Sequence, residues 1–261
     1  EGGKTCLRDC PKSGVVNKEF LLKRNKRAHR ILSQAQAVVS PSKFLKKMIH
    51  KTYPDISIRL IPLGSVSLPR QPHPRKKYLT FGYLGGFHSI KGIHILIQAF
   101  RKIRNKNIRL EIHGNLLSRE YLVELLGLAG EDRRIAFHGR YSSKEELAEI
   151  LKRIDVLCFP SIWYETYGIV IEEAFSARVP VIASRIGAVP ERVQNGFNGF
   201  VFRAGDKDDL YAKMIRIVKD PALLNRLRRN ISLPTPIEME ASRYEEIYKS
   251  AIGHSVKYAA V

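Results

Sequence analysis

The sequence predicts an α/β fold in which a parallel sheet is covered by helices on both faces. Three observations lead there. From about residue 78 onward, strand-like and helix-like segments alternate, and such alternation builds a parallel sheet. The strand-like runs are short and apolar, as in Val179-Pro180-Val181-Ile182-Ala183, which suits strands buried on both sides. Glycines follow several of them, at Gly85, Gly114 and Gly139, where a chain must turn out of a sheet.

Each element can be justified in order. Tyr78–Leu84 is a strand. Lys91–Ile103 carries apolar residues at 93, 96, 97, 100 and 103, a helical spacing. Ile108–His113 is a strand, Arg119–Gly127 a helix and Ile135–His138 a short strand. Ser143 and Glu146 form a capping box that opens a helix running to about Lys152. Asp155–Pro160 is a strand, Gly168–Ala177 a helix, Pro180–Ser184 a strand, and Asp206–Lys219 and Pro221–Arg229 are helices. Before residue 78 the pattern is looser: a basic helix over Glu19–Gln36, a strand over Ala37–Ser40, a short helix over Ser42–Lys51 and a strand over Ile58–Pro62. The proline-rich, basic stretch Leu68–Lys77 reads as a linker, because proline cannot continue a sheet interior. Ser232–Pro236 is a second break, followed by an amphipathic helix over about Ile237–Ile252.

Composition excludes several classes. The chain has 261 residues, 44% of them hydrophobic, which is globular and long enough for a real core. No internal repeat is present, and no apolar run approaches the roughly 18 residues of a membrane span. Charge is the unusual quantity. Lys and Arg number 45 against 25 acids, a net +20 that favours anionic partners: nucleotides, nucleic acid or acidic membrane. Residues 1–50 alone hold twelve Lys/Arg and three acids. Of the three cysteines, Cys158 lies in an apolar run and reads as a buried thiol. Cys6 and Cys10 have the spacing of half a metal site, but no second pair completes it. Three cysteines make no disulfide framework, so a reduced, cytoplasmic protein is the simpler expectation. The chain opens on Glu1 rather than Met, which reads as a fragment or a processed product.

In parallel sheets, ligands bind beyond the carboxyl ends of the strands. The loops to inspect are therefore 84–91, 113–118, 138–142, 160–168 and 184–190. The most informative is Pro160-Ser161-Ile162-Trp163-Tyr164-Glu165-Thr166-Tyr167-Gly168-Ile169-Val170-Ile171-Glu172-Glu173. A strand ends, a loop carries Glu165, a glycine opens a helix, and that helix carries Glu173. Free amides at a helix start attract phosphate. A carboxylate can accept two hydrogen bonds at once from a vicinal diol such as a ribose. Taken alone, two glutamates near a helix start need no ligand, since negative charge is favoured there anyway.

Their context decides. Glu165-x7-Glu173, with Gly168 between and Pro180-Val181-Ile182-Ala183-Ser184 after, resembles the retaining nucleotide-sugar glycosyltransferases of the GT-B fold, family 4. Tyr83-Leu84-Gly85 with Lys91-Gly92 and Leu96-Ile97-Gln98-Ala99-Phe100 is similar to the first strand, loop and helix of that family's donor domain. Phe137-His138-Gly139, Asp155–Ser161, Gly187-Ala188-Val189-Pro190-Glu191 and Asn195–Phe202 follow in the family's order. Ser40-Pro41-Ser42-Lys43-Phe44 and Ile61-Pro62-Leu63-Gly64 resemble the end of its first domain.

The resemblance implies a division of the chain. Residues 1–68 would be the remnant of an acceptor domain and 69–77 a linker. Residues 78–232 would be a Rossmann-like nucleotide-sugar-binding domain, and 233–261 a helix crossing back toward the first domain. It also implies roles. Glu173 would hold the ribose hydroxyls and Glu165 the transferred sugar. Lys91 would neutralise the diphosphate and its departing charge. Gly85, Gly86, Thr166 and the amides of Tyr167, Gly168 and Ile169 would line the diphosphate and sugar. The Gly139-Arg140-Tyr141 loop would line the base. The co-substrate would be a UDP- or GDP-linked sugar. No metal is expected, because no Asp-x-Asp stands at a strand end and Asp206-Lys207-Asp208 reads as a helix cap.

Two departures stand out. The family usually carries an arginine where this chain has Gly86, and a lost charge-assisted phosphate contact costs about 1.5–3 kcal/mol. Arg185, His88 and Arg140 are candidate replacements. Most of the acceptor half is also absent, so a complementing domain or partner subunit is implied. The alternative from another class is a non-catalytic basic module for RNA or anionic membrane, carried by Lys18–Arg30. Nucleic acid is the weaker of these, since aromatics do not interleave with the basic run. An enzyme seated on the inner membrane face would reconcile the charge with the catalytic reading.

Overall fold

A computed structural model describes residues 18–65, 68 and 77–258. The chain divides into two compact units. The larger spans 63–240, and the smaller combines 1–62 with 241–261.

In the smaller unit, α1 (Lys18–Gln34) buries only Leu21 and exposes Phe20, Leu22 and Ile31 beside its basic residues. β1 (Val39–Ser40) and β2 (Arg59–Leu60) form a two-stranded parallel pair around α2 (Lys43–Thr52). Ser42 caps α2 by accepting from the Leu45 amide. Cys6, Cys10 and most of the proline-rich linker lie outside the described residues.

The larger unit is a six-stranded, all-parallel sheet of order β5-β4-β3-β6-β7-β8. Its strands are β3 (Leu79–Leu84), β4 (Ile108–His113), β5 (Ile135–His138), β6 (Val156–Phe159), β7 (Val181–Ser184) and β8 (Gly199–Phe202). Helices connect them: α3 (Ile93–Arg101), α4 (Arg119–Ala129), α5 (Lys144–Arg153), α6 (Ile169–Ser176) and the short α7 (Val189–Arg192). After β8 come α8 (Lys207–Lys219) and α9 (Pro221–Arg229); the last helix of the chain, α10 (Ile237–Tyr258), belongs to the smaller unit from residue 241 on.

Alternate residues of each strand feed two cores. Phe81, Tyr83, Ile108, Leu110 and Ile112 pack with α3, α4 and α8 on one face. Leu84, Leu157 and Val181 pack with α5 and α6 on the other. Asp155 pins the sheet's centre. Its carboxylate accepts from the Thr80 amide and from Arg228 on α9, both at 2.9 Å.

The expected fold class and the alternation of elements match this architecture. Four details differ. The elements read from sequence leave out β8 and α7: α7 is a single helical turn carrying Pro190, too short for a helical period, and β8 opens on Gly199 directly after the turn at 196–198. The helix expected from Lys91 is a 3₁₀ turn, Ser89–Lys91, followed by α3 from Ile93. Gly92 separates them at φ +71°, and a side chain there would collide with the Pro160 carbonyl oxygen, so the residue must be glycine. Glu146 reaches back to the Ser142 amide at 2.6 Å rather than to that of the capping Ser143. The last helix runs past Ile252 to Tyr258.

Candidate functional site

Chain order reverses between β3 and β6: β4 and β5 lie on one side of this point, β7 and β8 on the other. In parallel sheets such a switch point is where ligands bind, in the crevice beyond the carboxyl ends of the strands. Lys91 lies on the connection after β3, and Glu165 on the connection after β6. The residues are 74 apart in sequence, yet Lys91 Nζ donates to Glu165 Oε1 at 2.7 Å.

Local packing fixes this pair. The Ile162 amide donates to the Ile90 carbonyl at 2.9 Å, which ties the two loops together. The Ser161 hydroxyl donates to the same Glu165 oxygen at 2.7 Å. Gly187, at φ +61°, lies so close to the Glu165 backbone that a Cβ would collide with it, and the Ala188 amide donates to the Glu165 carbonyl at 2.8 Å. Glu165 is thus held from both sides, with its side chain 13% exposed against 33% for Lys91. Lysine and serine both use Oε1.

Glu173 lies on α6 and is half-buried. Its Oε2 is buried and has no hydrogen-bond partner. Burial raises its pKa to about 7. The neighbouring Tyr141 hydroxyl is pushed up to about 12, first by burial and then by the Glu173 charge. The adjacent Glu172 has the opposite fate. It is 2% exposed and grips Arg192 of α7 through two hydrogen bonds, of 2.5 and 2.8 Å.

The remaining residues singled out from sequence fall into three places. Gly168 opens α6 at φ +91° without a side-chain cap, beside exposed Thr166, buried Tyr167 and exposed Ile169. The Tyr167 hydroxyl donates to the Leu63 carbonyl at 2.7 Å. Gly85 and Gly86 follow β3, where the Tyr83 hydroxyl donates to the Gly86 carbonyl at 2.9 Å. A Cβ at Gly86 would meet the Leu117 side chain at 2.7 Å, so an arginine there would have to displace Leu117. Arg140 is exposed after β5, two strands from β3, and the structure does not gather it with Lys91 and Glu165. Of the candidate substitutes for the missing arginine, Arg185 is exposed after β7, and His88 accepts from the Ile90 amide at 3.3 Å as a 3₁₀ cap. Cys158 is buried, which raises its thiol pKa strongly.

Ser161, Gly187 and Arg192 were not assigned roles from sequence, and Tyr141 was placed only in the loop expected to line the base, not beside Glu173. Ser161 and Gly187 sit inside recognised motifs, but only their contacts reveal that they hold Glu165. Arg192 lies 20 residues from Glu172, and no spacing rule links the two.

Comparison with known proteins agrees with the geometry. The Glycosyl transferases group 1 family matches residues 67–232. N-acetyl-alpha-D-glucosaminyl L-malate synthase of Bacillus anthracis is 28% identical over 171 residues, which cover 64% of this chain and 44% of that protein. Glycogen synthase of Mycobacterium tuberculosis is 32% identical over 158 residues, covering 60% and 38%. The chain thus spans less than half the length of these curated relatives. Sucrose-phosphate synthase from Thermosynechococcus elongatus shares the fold, with a TM-score of 0.78 and 23% identity over 93% of this chain and 65% of that one. The Anabaena protein HepE, solved with UDP and glucose, also scores 0.78 at 20% identity, covering 87% and 67%. The chain belongs to the group 1 glycosyl transferases and carries the α/β, Rossmann-like fold of GT-B enzymes.

Proposed function

We propose that residues 78–232 bind a nucleotide-diphospho-sugar and, with a complementing acceptor domain or subunit, transfer the sugar with retention at its anomeric carbon, as in family 4. The observation that carries this reading is the buried, partnerless Oε2 of Glu173. An unsatisfied carboxylate oxygen costs stability unless a ligand supplies donors. The vicinal hydroxyls of a ribose would supply two.

The other roles follow from charge and position. Lys91 is the cation at the crevice and would turn from Glu165 to the diphosphate, stabilising the negative charge that grows on it as the glycosidic bond breaks. Ser161 would keep Glu165 in place while Lys91 is so engaged. Glu165 would accept from hydroxyls of the transferred sugar, and the proposal gives it no covalent step. The amides opening α6 at Gly168 and Ile169, with Gly85 and Gly86, would line the diphosphate. Arg140 would lie near the base. The reading needs no metal at the diphosphate. HepE, which shares the fold, was solved with UDP and with UDP-glucose, which supports a nucleotide-linked sugar as the donor, UDP- or GDP-linked.

The division into acceptor remnant, linker, donor domain and returning helix belongs to the same proposal. So does an anionic membrane surface as the partner of α1, whose exposed Phe20, Leu22 and Ile31 accompany Lys23, Arg24, Arg27 and Arg30. Among the described residues, no helix is long and apolar enough to cross a membrane.

A thermal-shift screen with UDP, GDP, ADP, CMP and their sugar conjugates tests the donor site. A ligand at 100 times its dissociation constant adds about 2.7 kcal/mol of stability. One nucleotide should stabilise the wild type and not Glu173→Ala. Equal stabilisation of both proteins would remove Glu173 from the site.

A further inference from the structure

A second polar cluster lies on the other side of β3 and has no part in the proposed transfer. Glu111 and His113 stand two apart on β4 and so share one face of the sheet. β5 is the edge strand, and its His138 is the register partner of His113. The two imidazoles stack with centroids 4.2 Å apart and planes within 8°. His113 Nε2 lies 3.1 Å from Glu111 Oε2. Among the described residues this is the group of three metal-ligating side chains whose donor atoms all lie within 4.8 Å of one another. The His113 side chain is 4% exposed and that of Glu111 20%, while His138 is exposed, so an ion has a route in from solvent.

We propose that Glu111, His113 and His138 form a site for a divalent ion of the zinc class, which fastens edge strand β5 and the Gly139–Arg140 loop to β4. Two imidazoles and one carboxylate are the ligand set of zinc, with water in the fourth position. Magnesium and calcium demand oxygen ligands and are excluded by the two nitrogens. Bonds of about 2.0–2.2 Å in tetrahedral geometry need donor atoms about 3.4 Å apart. The cluster must therefore contract by roughly 1.4 Å, and the stacked rings must turn out of parallel so that the ion lies in both ring planes, which rotation of the exposed His138 ring and of the Glu111 side chain would supply. The strand register already fixes the backbone. Arg153 Nε, 3.5 Å from Glu111 Oε2, supplies the positive charge that the ion would replace. The competing account is a permanent polar cluster of Arg153, Glu111 and two stacked histidines with no affinity for metal.

The test is a calorimetric titration of the whole chain with ZnCl₂ and with MgCl₂ in a non-chelating buffer, followed by Co²⁺ absorption spectra. Cys6 and Cys10 are the rival ligands, so a Cys6→Ser/Cys10→Ser variant runs in parallel. We expect one equivalent of zinc to bind and magnesium not to. Affinity should fall by more than about 100-fold in His138→Ala and in Glu111→Gln, beyond the loss of an outer partner, and stay unchanged in the cysteine variant. Cobalt should give ligand-field bands without thiolate charge transfer. His138 is exposed, so its replacement leaves the fold intact. No zinc binding, wild-type affinity in both ligand variants, or loss only in the cysteine variant would each overturn the site.

Discussion

The two sides of α6 treat adjacent carboxylates in opposite ways. Glu172 points into the structure, is 2% exposed, and finds in Arg192 a planar cation that fills both its oxygens. Glu173, the next residue, keeps one buried oxygen without a partner, and its pKa rises to about 7. A helix turns its side chains by about 100° per residue, so neighbours face different surroundings. The contrast teaches which glutamate serves the fold and which is held ready for a ligand: the satisfied group stabilises, and the unsatisfied one costs stability until something binds.

The largest expected effect comes from breaking the satisfied pair. Arg192→Ala leaves Glu172 buried and uncompensated, and should destabilise the chain by about 3 kcal/mol, the lower end for a buried ion pair because the arginine is partly exposed. Urea denaturation measures this. A loss under about 1 kcal/mol would mean that Glu172 needs no partner and that the contrast with Glu173 is empty.

The next effect has the opposite sign. Glu173 has its pKa raised from 4.5 to about 7 in the folded chain. Between those values the unfolded chain has lost the proton that the folded chain keeps, so stability falls as pH rises from about 4.5 to 7. Glu173→Gln removes the titration. At pH 8 it should be more stable than wild type by up to about 3 kcal/mol, and the gap should close toward pH 5. Denaturation curves at the two pH values decide. A variant that is less stable at pH 8 would show that the carboxylate has an internal partner after all.

How much of this was legible in the sequence depends on distance along the chain. The order of strands and helices followed from periodicity, capping residues and turn glycines, all of them local. α7 escaped because a single helical turn defines no period, and β8 because it follows directly on turn residues and opens on glycine. Glu165 and Glu173 stood out only through the resemblance to family 4 that their spacing and the surrounding motifs carry; by themselves they are two acids near a helix start. The Ser161 contact lies within one loop, four residues apart, but the Lys91–Glu165 bond joins the connections after β3 and β6, and the Glu172–Arg192 pair joins α6 to α7. The switch of strand order that brings Lys91 to Glu165 is a property of topology, which no local pattern encodes. The orphaned oxygen of Glu173 is likewise a statement about what is absent around it.

That oxygen also offers the most direct measurement of the central claim. Hydroxyls donating to Glu173 favour its ionised form, so a bound ribose should draw the pKa down from about 7 and release a proton. Calorimetry of UDP-glucose binding at pH 7, in two buffers of different ionisation enthalpy, reads that proton. UDP-glucose is suited to this because its fully esterified diphosphate does not titrate there. The account predicts release of about half a proton by the wild type and none by Glu173→Gln, whose binding should also weaken. Binding without proton release, or the same release in both proteins, would contradict it.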